Sequence, residues 1–293
     1  MSVLVLVVLV GSVALGAVAV SVRASGGGRV DTAREWRFVQ ATLLASVVVG
    51  VVAAWFLAGR LELGRGAMLV PSVLGFFVVA GVALSETVVR PARPAGVRTA
   101  SLAPRRVADH LQRPLMTAVV AVTTLHVATL VLATATASAD DLGRAGRRVA
   151  AECGASGSAA GPYPGSFYSA PLGLVLLATG LAAAAALVTV VRRPRGFAHD
   201  ELGDDVLRTR STTRVLAAFG AAVAASHAGV AFFTATALLG MECKGAWMAP
   251  VGWLLLVSVP GAVVLLGWFL GRVLRRAELP SAAAQPVPER QSR

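Results

Sequence analysis

Two histidines are the residues best placed to do chemistry in this chain of 293 residues. His126 and His227 each lie about a dozen residues into a long apolar stretch, which in a helix is a depth of about 18 Å. Thr123, Thr124 and Thr129 flank the first, and Ser226 the second. If their helices are neighbours, the two imidazoles could serve as axial ligands of a haem iron or as two ligands of a transition metal. A metal would want further ligands, and no Cys, Asp or Glu lies at that depth, so no metal site is expected. Haem needs only two, so it is the one cofactor the count allows, against a baseline of no cofactor. The plainer role is interhelical glue, each imidazole bonding a hydroxyl or carbonyl on a neighbouring helix.

Glu86 is the only acid inside any apolar stretch. It precedes Arg90 by four residues, the spacing of a helical ion pair. The alternative is a proton- or cation-coupling group, since ionisable residues in a membrane are costly and functional. His199 with Asp200, Glu201, Asp204 and Asp205 resembles a ligand cluster, although a solvated acidic helix start accounts for the same residues. The chain holds no GxxxxGK[ST], GxGxxG, HExxH, GxSxG or CxxC motif. No catalytic residues are assigned, and the reading leans away from an enzyme.

These residues need elements to hold them, and composition says which. The chain is 56% hydrophobic and 14% charged, with a mean hydropathy of +0.73; soluble chains carry about 25% charge. Seven stretches are long enough to span a bilayer core of about 30 Å as helices: 2–22, 38–59, 67–89, 115–136, 171–191, 215–239 and 249–271. None contains Lys, Arg or Asp. The expected fold is all-α, a polytopic transmembrane bundle of seven helices. The short alternating strands of an outer-membrane barrel are absent from the pattern.

Orientation follows from the bases. Of 27 Lys and Arg, 21 fall in the linkers after the first, third and fifth stretches and in the tail; the alternate linkers hold the other 6. The positive-inside rule then puts the N-terminus outside and the C-terminus in the cytoplasm. The net charge of +12 thus reports insertion and contact with anionic lipid at the cytoplasmic face, not nucleic acid. The first stretch lacks the basic n-region of a signal peptide, so it is expected to stay as a helix; the alternative is cleavage after Ala24. Cys153 and Cys243 both fall on the outer side, where disulfides persist, and a Cys153–Cys243 bridge is expected.

Pro114, Pro171 and Pro250 suit the first turns of their helices, and Pro260 beside Gly261 predicts a kink in the last one. Segments 101–113 and 199–210 read as short surface helices, the latter with an Asp204–Arg208 pair. Segment 137–170 reads as an irregular outer loop whose Tyr163, Phe167 and Tyr168 dip into the interface, and 280–293 as a disordered tail. Matching Thr-Ala endings and cysteines hint at a duplicated unit, 67–153 and 171–243. Arg, Ala, Gly and Val dominate, as in a GC-rich bacterial genome, which suggests a bacterial cytoplasmic membrane. The expected function is a non-enzymatic transporter-like or transport-accessory subunit. The alternatives are a redox protein with haem on the two histidines and a sensor or scaffold. A polar cavity joining His126, His227 and Glu86 would favour transport, a porphyrin-wide slot haem, and a filled bundle the scaffold.

Overall fold

The computed structural model describes residues 32–88, 110–193 and 201–274, with side chains over 40–86, 110–193 and 205–274. It contains α1 (Thr32–Arg60), α2 (Arg65–Val88), α3 (Arg113–Thr136), the strands β1 (Val149–Cys153) and β2 (Ser156–Ala160), then α4 (Ser166–Val191), α5 (Glu201–Gly240) and α6 (Met248–Leu274). All six helices are long and apolar enough to cross a membrane, and they overlie the second to seventh predicted stretches. The count among the described residues is therefore six. The stretch 2–22 and the tail 280–293 lie outside them.

The bundle is built around α5, which packs on α6, α2, α3 and α4, while α1 packs chiefly on α2. Of the most apolar window of α5, 72% is buried, against 17% for α6. The cause is local composition. From Val215 to Ala224 the residues are mostly Ala, Gly and Val, buried on every face, and small residues let helices approach closely in an apolar medium. A Cβ on Gly75 of α2 would stand 2.5 Å from the Ala222 methyl, and one on Gly220 would stand 2.7 Å from the Phe269 ring.

Several sequence expectations change. Segment 199–210 is not a separate surface helix. From Glu201 it runs straight into α5, a single helix of 40 residues. No Pro interrupts it, and its hydroxyls bond back into the helix, Thr213 to the Thr209 carbonyl at 2.7 Å. Of segment 101–113, only the last residues are described. Helix α4 starts at Ser166 after Gly165, five residues earlier than expected, so Pro171 lies inside the helix and not in its first turn. Pro250 is in the first turn of α6, and Pro260 lies on that helix's exposed face.

Segment 137–170 is more ordered than an irregular loop. β1 and β2 form an antiparallel hairpin, Val149 opposite Ala160 and Cys153 opposite Ser156, turning at Gly154 with φ +63°, as a two-residue turn with leading glycine requires. Its two tyrosines pack into the protein, and Phe167 does so in part. Tyr163 and Tyr168 are buried and Phe167 half-buried. The Tyr163 hydroxyl meets Thr136 Oγ1 at 2.7 Å; burial raises its pKa, partly opposed by that hydrogen bond.

Gly75→Leu is expected to destabilise the detergent-extracted protein by about 1–3 kcal/mol through overpacking against α5, seen as a lower thermal midpoint. Gly173→Leu, where a Cβ meets nothing within 4 Å, should leave the midpoint in place. Equal midpoints would exclude this packing.

Candidate functional site

The structure brings the two histidines together. On α3 the buried stripe Val119, Val122, His126, Leu130 and Ala133 recurs every three or four residues and faces α5. His126 is 1% exposed and His227 0%. Their ring centroids are 5.9 Å apart with the planes at 86°, an edge-to-face contact. His126 Nε2 is 3.3 Å from Ser226 Oγ, which is 2.7 Å from Ser72 Oγ on α2. On the other side, His227 Nε2 is 3.1 Å from Ser258 Oγ on α6, and that hydroxyl donates to the Leu255 carbonyl at 2.6 Å. One polar row, Ser72–Ser226–His126–His227–Ser258, thus crosses four helices.

Not every expected neighbour takes part. Thr129 donates to the Leu125 carbonyl of its own helix, and Thr123 Oγ1 is buried without a hydrogen-bond partner among the described residues. The Nδ1 atoms of both histidines are likewise buried without one. Ser72 and Ser258 do take part, and the sequence reading missed them. Ser258 was findable: it lies nine residues into the last apolar stretch, about 14 Å deep and close to the histidines' depth.

The space around the row is small. A cavity of about 10 Å³ is lined by Ser72, Thr179, Ser226, Val175 and Ala222 among others, enough for about one water. Small-molecule sites occupy about 300–1,000 Å³. Haem fits poorly for the same reason: both Nε2 atoms face serines, and the rings touch edge to face.

Glu86 belongs to a different layer. It is buried and accepts a hydrogen bond from Ser211 Oγ on α5. Arg214 Nη1 lies 3.0 Å from one carboxylate oxygen and Arg193 Nη2 lies 3.7 Å from the other. Arg214 Nε also donates to the Val273 carbonyl of α6 at 3.3 Å, and Arg208 donates to the Arg193 carbonyl at 3.0 Å. The expected partner Arg90 lies outside the described residues; the partners seen join α2, the end of α4, α5 and α6. Arg214 and His227 are 13 residues apart on α5, about 20 Å along the axis. The cavity beside Ser226 includes none of the residues around Glu86 in its lining.

At the far end of α5, Cys153 and Cys243 stand at disulfide distance, with Cα atoms 6.0 Å apart. Ser158 of β2 reinforces the contact, its hydroxyl accepting from the Cys243 N–H at 3.0 Å and donating to the Cys243 carbonyl at 3.1 Å. The side chains of the His199, Asp200, Glu201 and Asp204 group lie outside the described residues. Among those described, no group of three or more His, Cys, Asp or Glu could hold a metal ion.

No known protein family, curated protein or solved structure matches this chain, so its function has to be argued from the geometry. Two outcomes test that geometry. Glu86→Gln leaves Arg214 buried without its carboxylate and should cost about 3–5 kcal/mol, much of it recovered in the Glu86→Gln/Arg214→Gln double variant; the midpoints of the wild type and the two variants read this. Alkylation of the denatured protein should label no thiol before reduction and two after it. Labelling before reduction would show two free cysteines.

Proposed function

We propose that this chain is a non-enzymatic integral membrane protein of the transporter-like or transport-accessory kind, with the His126–His227 pair as its proton-handling element. The observation that carries this reading is the pair itself, two fully buried imidazoles in contact within a polar row that crosses four helices. An imidazole ring can both donate and accept a proton through its two nitrogens. Glue alone would be expected to satisfy both nitrogens of each ring, whereas one nitrogen of each ring finds no hydrogen-bond partner among the described residues. The one-water cavity beside Ser226 suits protons and water but not a bulky solute.

The charge bias supports a cytoplasmic face in contact with anionic lipid, and the Arg-, Ala- and Gly-rich composition supports a bacterial cytoplasmic membrane. The second reading is a sensor or scaffold, favoured by the filled interior around α5. Haem is not carried forward, because the pair offers a porphyrin neither a slot nor free Nε2 atoms.

The test is proton movement into vesicles holding the reconstituted protein and a pH-sensitive dye, driven by a potassium diffusion potential. The wild type should exceed protein-free vesicles, and His126→Gln and His227→Gln should fall to that baseline while keeping the wild-type thermal midpoint. A wild type at baseline would favour the scaffold.

A further inference from the structure

The hairpin end of the bundle carries a second constellation that the histidine row does not use. Arg65, the first residue of α2, and Arg147, in the loop between α3 and β1, both stack on Phe167 near the start of α4. Their guanidinium carbons lie 4.5 and 4.1 Å from the ring centroid. The adjacent Tyr168 donates its hydroxyl to the Leu63 carbonyl at 2.9 Å. Leu63 holds φ +54°, a backbone conformation unfavourable for a bulky residue. This turn, with Gly64 at φ +70°, sets Arg65 against the ring.

The local charges do not balance. Asp140 approaches Arg147 Nη1 only to 3.6 Å. Its carboxylate already accepts from the Leu142 N–H, the Arg144 N–H and Arg144 Nε, at 3.0, 2.9 and 2.8 Å. Arg65 has no acid in ion-pair reach among the described residues, and Arg65 Nε with Arg147 Nε and Nη1 are buried without a hydrogen-bond acceptor there. Stacking on an aromatic ring orients a guanidinium, for about 0.5–2 kcal/mol, but neutralises nothing, and two cations on one ring repel each other. An oxyanion with several oxygens answers both deficits, since the guanidinium fork matches phosphate geometry. The site lies where α2 and α4 begin, at the level where a spanning bundle meets headgroups. Leu63 and Ser166 beside it are exposed, so the site lies at the edge of the protein.

We infer that Arg65 and Arg147, stacked on Phe167, form a clamp for a phosphate oxyanion, supplied by a lipid headgroup or by free phosphate. The clamp is independent of the histidine pair. Two probes on the full-length protein separate the sources: native mass spectrometry after release from phosphatidylglycerol nanodiscs, and calorimetric titration with inorganic phosphate in maltoside detergent. Lipid retained without phosphate binding assigns the headgroup, and phosphate binding without retained lipid assigns the free ion. For whichever binds, Arg65→Gln and Arg147→Gln should each lower occupancy or affinity about tenfold, the weight of a hydrogen bond to a charged group. Arg60→Gln, which removes a cation stacked on Phe56 at the same end, should change neither. If Arg65→Gln does not fold, Arg65→Lys keeps the charge and loses the fork; lower occupancy at an unchanged midpoint supports the clamp. The proposal is overturned if neither probe binds the wild type, if the folded Arg65 and Arg147 variants bind like it, or if Arg60→Gln loses as much.

Discussion

The interior depends on one constraint: α5 must be thin enough for four helices to close around it. Its Val215–Ala224 segment meets that condition with small side chains on every face, and the close approaches of Gly75 to Ala222 and of Gly220 to Phe269 record it. In an apolar medium helices gain little from burying hydrocarbon against one another, so contact rests on shape and on polar bonds that only short distances permit. The hydroxyl bridge from Ser72 to Ser226 and the imidazole contact across α3 and α5 both need that proximity.

The same helix anchors both interior polar layers and leads into the cysteine pair. Arg208, Ser211 and Arg214 organise one end around Glu86, Ser226 and His227 form the middle, and Cys243 follows its last turn. The two interior layers differ in kind. Around Glu86 opposite charges meet and carry several hydrogen bonds, the condition under which a buried ion pair is tolerated. In the histidine layer the polarity is neutral in type and the bonding leaves ring nitrogens over. One layer is arranged to stay as it is; the other keeps bonding capacity in hand.

Much of this was legible in the sequence, for identifiable reasons. Hydropathy located the helices because their apolar runs are long and nearly free of charge. Counting alternate linkers put Cys153 and Cys243 on the same side, and counting depth put His126 and His227 at one level. What was missed depends on partners distant in sequence. Local spacing paired Glu86 with Arg90, which lies outside the described residues; the nearest base among those described, Arg214, is 128 residues on. The hairpin is built largely from Ala, Ser and Gly, which carry no strand alternation, and its pairing is supported by Ser158 and Cys153 reaching the end of α5. Charges near Arg208 marked an end to the apolar run but not to the helix.

The link between Cys153 and Cys243 has a mechanical consequence. A bridge at this spacing would fasten the hairpin to one end of the 40-residue axis, while Glu86 grips the first third of the same axis through Ser211 and Arg214. A helix so held could not slide like a piston, because a shift of even one residue, about 1.5 Å, would strain both attachments together. Rearrangement is left to the helices around it, α6 above all, which lies against the axis along one side and is otherwise largely exposed.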